Sequence, residues 1–184
     1  MTALAIRTAR PDDLDAIMQL EANGFPPAIR ESRDVMQQRL QHFAEGFLIL
    51  EHADGAIGYL CSELWGQDET ADSAHCNAAH FALGHDIRQT HRCDGTYLYI
   101  SSMTIAPAHR GDGLGRRFFQ QSVALLRARL PQLRGSILLL SAEWLAAHRI
   151  YRDGGYTEIA RLPGFFADIA AQNADAIVMQ LSFP

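Results

Sequence analysis

Tyr97-Leu98-Tyr99-Ile100-Ser101-Ser102-Met103-Thr104-Ile105 is followed by Ala106-Pro107-Ala108-His109, and then by Arg110-Gly111-Asp112-Gly113-Leu114-Gly115. The first stretch is rich in aromatic and branched residues, and a long strand is predicted over Thr96 to Ile105. After the glycines, Leu114, Phe118, Val123, Leu125 and Leu126 predict an amphipathic helix over Gly113 to Leu130. A glycine-rich turn between a strand and a helix suits an anion, because backbone N–H groups and the helix dipole converge there. Side chains at Gly111, Gly113 or Gly115 would block close approach of phosphate oxygens, and Arg110 and Arg116 can add charge. A tight turn alone needs one glycine, not three. A Walker loop requires a lysine and a hydroxyl residue that do not follow Gly115. A dinucleotide fingerprint requires a third glycine where Arg116 stands, and normally opens a domain. An oxidoreductase reading is therefore disfavoured.

Outward from this segment the pattern alternates. Upstream, Leu4 to Ala9 predicts a short strand, and Pro11-Asp12-Asp13 opens a helix that Asn23-Gly24 and Pro26-Pro27 end. A second helix follows Ser32 as N-cap. Phe47 to His52 and Ala56 to Trp65 predict antiparallel strands joined at Asp54-Gly55. Residues 66–95 form a long, polar, histidine-rich segment with a short helix expected between Phe81 and Thr90. Downstream, Gly135 to Ser141 predicts a strand, Trp144 to Asp153 a helix closed by Gly154-Gly155, and Tyr156 to Leu162 and Ala176 to Leu181 the last strands. The expected fold is α/β, with a mixed, mostly antiparallel sheet of about seven strands and helices on both faces, in a single domain over residues 1–184.

Composition narrows the function. With 16 basic and 21 acidic residues, the net charge of −5 argues against nucleic acid and anionic membrane as partners. The three cysteines form no C-x-x-C pair, Met1 to Arg10 lacks a long apolar h-region, and no apolar run reaches membrane-spanning length, so an unprocessed cytoplasmic protein is expected. His75, Cys76, His80, His85, Asp86, His91 and Cys93 are potential metal ligands, but their spacing fits no standard zinc pattern. No metal is expected; a solvated segment or a substrate lid is.

The strand, the Arg-x-x-Gly-x-Gly turn and the helix resemble the pyrophosphate loop of the GNAT N-acetyltransferases. Ala147-His148-Arg149-Ile150-Tyr151, followed by Gly155-Tyr156, resembles that family's second signature. The resemblance implies acetyl-CoA as acyl donor, with Met103, Thr104 and Ile105 pairing with the pantetheine arm. It implies the pyrophosphate on Arg110, Gly111, Asp112, Gly113, Leu114, Gly115 and Arg116. Tyr151 would protonate the departing thiolate, a role suited to a positioned phenol. Many members carry an asparagine where this chain has Trp144.

Glu21-Ala22-Asn23-Gly24-Phe25-Pro26 and Leu83-Gly84-His85-Asp86 further resemble bacterial and fungal relatives of the arylalkylamine N-acetyltransferases. The two histidine bases of the vertebrate members fall at Tyr99 and Ser101, so that mechanism does not transfer. Alternation puts Tyr97, Tyr99 and Ser101 on one strand face, where Tyr99 and Ser101 are candidates to line an acceptor site. Glu63 is a candidate to assist through water, although an exposed strand glutamate is usually a solvated charge. The expected reaction is acetylation of a primary amine on a small molecule. Alternatives are a protein or peptide N-acetyltransferase and a noncatalytic acyl-CoA sensor, as monomer or homodimer; Phe183-Pro184 would end a strand able to pair with another subunit.

Overall fold

Strands form where the apolar runs lie. The computed structural model describes residues 4–53, 55–66, 78–169 and 172–184. Its strands are β1 (Ala5–Thr8), β2 (Phe47–His52), β3 (Gly55–Trp65), β4 (Tyr97–Ile105), β5 (Gly135–Ser141), β6 (Thr157–Leu162) and β7 (Ala176–Ser182). They form one seven-stranded sheet in the order β1-β2-β3-β4-β5-β7-β6. The β1/β2, β2/β3, β5/β7 and β6/β7 ladders are antiparallel, and β4/β5 is parallel. The helices are α1 (Leu14–Gly24), α2 (Arg33–His42), α3 (Ile87–Thr90), α4 (Leu114–Arg129) and α5 (Leu145–Asp153). Thus the predicted α/β fold with a mixed, mostly antiparallel sheet is the observed one. Asp54 of the predicted hairpin turn, with His75 and Cys76, lies outside the described residues.

The chain divides into two compact units, each assembled from separated stretches. The first comprises Met1–Ser62, Asp86–Gln89 and Ser102–Pro131. Its apolar cluster joins Leu14, Ile17 and Leu20 of α1, Met36 and Leu40 of α2, Phe47 and Ile49 of β2, and Tyr59 and Cys61 of β3. The helical spacing of the first five residues and the alternation of the last four bring one face of each element into that core. Ser32 caps α2 as predicted, its Oγ accepting from Val35 N at 3.2 Å. At the start of the unit, Arg7 donates to Asp13 at 2.7 Å and to Glu51 at 3.0 Å, which depresses the Asp13 carboxyl.

The second unit comprises Glu63–His85, Thr90–Ser101 and Gln132–Pro184. Trp65 stacks on Tyr99 with ring centroids 3.9 Å apart, and Phe81 meets Tyr99 edge-on at 5.6 Å. Tyr156 donates to Ser136 Oγ at 2.7 Å, and Ser136 donates to Leu98 O at 3.0 Å, tying the end of α5 to β5 and β4. The final strand is not a free edge. β7 lies between β5 and β6, and both of its sides are paired, which corrects the expectation that it would join another subunit.

Candidate functional site

Within the first unit, β4 runs to Ile105 and a short 3-10 turn over Pro107–His109 leads into the glycine loop. Three consecutive residues take positive φ: Gly111 at 102°, Asp112 at 45° and Gly113 at 71°. This left-handed run is open to glycine and tolerable for aspartate, and it explains the composition Gly-Asp-Gly. Residues 111–113 are exposed, and a Cβ built at Gly111 would meet nothing within 4 Å, so the space over the loop is clear. The α4 N-cap is Gly113, which offers no side-chain cap, and its first turn holds no acidic residue. Instead Arg116 and Arg117 stand there. Cations at the positive end of a helix oppose its dipole unless an anion lies between them.

The motif arginine is held by its own strand. Arg110 Nε donates to Ile105 O at 2.9 Å, and its Nη2 lies 3.4 Å from Thr104 Oγ1. Arg117, which sequence reasoning did not single out, donates to Asp112 O at 2.8 Å and braces the loop from α4. Met103 is half-buried, whereas Thr104 and Ile105 are buried. In the second unit, the parallel ladder of β4 with β5 runs from Tyr97↔Gly135 to Ile100↔Leu138. Beyond Ile100, β4 continues to Ile105.

Tyr151 sits on α5, a helix none of whose residues is buried. Its half-buried phenol is pushed up to about 12 by desolvation, so it is protonated at neutral pH and can act as a proton donor. Its ring is 6.2 Å from that of Tyr156. Gly155, at φ 90°, supplies the left-handed turn after α5, whereas Gly154 at −81° does not need to be glycine for its backbone. Trp144 is the N-cap residue of α5 and packs on Phe166 with ring centroids 5.6 Å apart.

The burial of two carboxylates, Glu63 and Glu21, was not visible in the sequence. Glu63 is 2% exposed, which corrects its reading as a solvated charge. It accepts from Trp65 Nε1 at 2.7 Å and Thr90 Oγ1 at 2.9 Å, and its Oε1 is 2.7 Å from His85 Nε2. His91 Nδ1 accepts from Leu64 N at 3.2 Å. Those bonds explain why this part of the histidine-rich segment is packed instead of solvated. Tyr99 belongs to the same aromatic group and is buried, while Ser101 is half-buried.

The second is Glu21, on α1, with Tyr59 and Glu31 as hydrogen-bond donors. Burial raises its carboxyl above the ordinary range against those bonds. Glu21 opens the Glu21-to-Pro26 stretch quoted above, but no role was assigned to it; a polar residue on the apolar stripe of a helix, as Glu21 is beside Ile17 and Leu20, was the available signal. Among the described residues no group of three or more His, Cys, Asp or Glu side chains is arranged to hold a metal ion.

The profile of the Acetyltransferase (GNAT) family matches residues 14–156. The chain belongs to the GNAT acetyltransferases. Solved GNAT structures agree with its fold. The GphF GNAT-like decarboxylase, in complex with isobutyryl-CoA, superposes with a TM-score of 0.79 at 17% identity, covering 97% of this chain and 98% of that one. The loading GNATL domain of CurA from Lyngbya majuscula gives 0.81 at 14% identity, covering 98% of each chain. Arabidopsis thaliana NAA60 in complex with acetyl-CoA gives 0.72 at 20% identity, covering 98% and 99%. No curated protein sequence matches the chain. Family membership makes this GNAT protein an acyltransferase, and no described helix is long and apolar enough to cross a membrane.

Proposed function

We propose that this GNAT domain, taken as residues 1–184, is a cytoplasmic acetyl-CoA-dependent N-acetyltransferase acting on a primary amine of a small molecule. The observation that carries the reading is the exposed run of positive φ at Gly111, Asp112 and Gly113 ahead of a helix whose first turn is basic. That arrangement suits the pyrophosphate of coenzyme A. In this reading Arg110, Gly111, Asp112, Gly113, Leu114, Gly115 and Arg116 hold the pyrophosphate, and Met103, Thr104 and Ile105 pair with the pantetheine arm. Acetyl-CoA supplies the thioester. Tyr151 donates its phenolic proton to the leaving sulfur as the tetrahedral intermediate collapses, a role its raised pKa favours by keeping the proton in place until sulfur carries charge. Tyr99 and Ser101 line the acceptor side. No metal takes part in this reading, and the acidic balance of −5 suits a cationic acceptor better than nucleic acid or an anionic membrane.

The test is a thermal-shift titration with acetyl-CoA, with NAD and ATP as controls, followed by thiol release against a panel of amines. Acetyl-CoA alone should raise the melting temperature. Tyr151→Phe should leave that shift intact and lower kcat about 10²-fold or more. A shift without turnover on any amine would point to an acyl-CoA sensor, and no shift would remove the reading. A second reading, acetylation of a protein or peptide amino group, is favoured by the likeness in fold to the ribosomal-protein-S18-alanine N-acetyltransferase from Escherichia coli and to Arabidopsis thaliana Naa50 in complex with the bisubstrate analogue CoA-Ac-MVNAL. Peptides in the same panel separate the two.

A further inference from the structure

The N-acetyltransferase reading requires that an ammonium acceptor lose a proton before attack, and it names no group that takes it. Glu21 Oε2 accepts from the Tyr59 hydroxyl, and Glu21 Oε1 accepts from Glu31 N at 2.7 Å. Tyr59 has a single hydroxyl proton, and that proton points at Glu21. Its 2.8 Å contact with Ser102 Oγ is therefore donated by Ser102. The result is a continuous chain of two hydrogen bonds, Ser102 to Tyr59 to Glu21, inside one compact unit. Its inner end is 1% exposed, and its outer end is a half-buried hydroxyl. Ser102 immediately precedes Met103 on β4.

We propose that Ser102, Tyr59 and Glu21 form a proton relay that deprotonates the acceptor amine, with Glu21 as the terminal base; the proposal rests on the N-acetyltransferase reading. An amine proton passes to Ser102 Oγ as the Ser102 proton moves to Tyr59 and the Tyr59 proton moves to Glu21. The neutral nitrogen then forms the C–N bond to the thioester carbon and the C–S bond breaks. The sulfur takes the Tyr151 proton, and the second nitrogen proton restores Tyr151. Glu21 releases its proton to solvent by the reverse path, which closes the balance.

The surroundings suit this work. Arg39 of α2 donates to Glu31 Oε1 at 3.0 Å, so the guanidinium is engaged by that carboxylate, while neutral donors bond Glu21. The charged and titratable groups facing Glu21 are Tyr59 from β3, Glu31 from the segment after α1 and Arg39 from α2; Cys61 faces Tyr59. Burial, the largest influence, raises the Glu21 carboxyl toward the pH at which a general base is most effective. Burial also holds the Tyr59 phenol well above its ordinary value, so it exchanges protons without remaining ionised.

The experiment compares two nucleophiles, phenethylamine and hydroxylamine, at pH 7.5. Phenethylamine is protonated there and needs a base; hydroxylamine is already neutral. Glu21→Gln and Tyr59→Phe should each lower kcat with phenethylamine about 10²-fold, leave hydroxylamine turnover within about threefold, and leave the acetyl-CoA thermal shift unchanged. Ser102→Ala, at a half-buried position where folding is least at risk, should follow the same pattern. Wild-type kcat with phenethylamine should rise with pH through the relay's apparent pKa, and Glu21→Gln should lose that limb. Equal losses with both nucleophiles, or no loss with either, would overturn the relay and leave the N-acetyltransferase reading standing. Failure of the wild-type protein to bind acetyl-CoA would overturn both.

Discussion

Helices α2 and α4 start in opposite ways. At α2, Ser32 accepts from Val35 N and Asp34 lies in the first turn, so the orphan N–H groups and the dipole are answered from within the chain. At α4, Gly113 gives no side-chain cap, the preceding residues are left-handed, and Arg116 and Arg117 oppose the dipole. The first start is built for stability. The second forgoes about 1 kcal/mol of capping and dipole energy and leaves its backbone open where the proposed pyrophosphate would lie. The difference teaches where to look for a binding site: at a place where a local rule of stability is broken and the same neighbourhood suits a ligand.

That contrast can be broken most severely at Gly113. A β-branched side chain at φ 71° is strained and crowds the approach of phosphate, so Gly113→Val should weaken acetyl-CoA binding by about 10²-fold, or about 2.7 kcal/mol, in calorimetric titration. Unchanged affinity would reduce the loop to a turn. Arg116→Asp makes the start of α4 resemble that of α2. It should cost about tenfold in acetyl-CoA affinity while the apo protein gains about 0.3–1 kcal/mol from the dipole, read as a slightly higher melting temperature. Loss of both binding and stability would contradict the assignment of Arg116 to the ligand. The smallest effect is expected at the other helix: Ser32→Ala should lower the melting temperature by about 2–4 °C, for about 1 kcal/mol of lost capping, with acetyl-CoA affinity unaltered.

The glycine loop was legible because its information is local. Positive φ favours glycine and tolerates aspartate, so the left-handed run is written in adjacent letters, Gly111-Asp112-Gly113. The placement of Tyr151 on a helix was legible for the same reason, within about one turn of Ala147 and just before Gly155-Tyr156. The strand and helix boundaries were legible through periodicity: Phe47–His52 and Gly135–Ser141 fall where their apolar runs predict. Glu63 was misread because strand alternation says which residues share a face and not which face is covered. Its partners, Trp65, His85 and Thr90, include two from a segment without periodicity. Glu21 stood on the apolar stripe of α1, but Tyr59 and Ser102 are separated from it by 38 and 81 positions. No spacing rule joins them.

By itself, the sequence determined the order of elements, the α/β class and the glycine turn between β4 and α4, because each follows from neighbours within a few residues and the steric limits of the backbone. Only the tertiary structure decided that β7 is enclosed between β5 and β6, that Glu63 is buried against His85, and that Glu21, Tyr59 and Ser102 form one hydrogen-bonded chain. Those outcomes depend on strand order and on helix-to-sheet packing, which bring distant residues to hydrogen-bond distance and set how much water each carboxylate keeps.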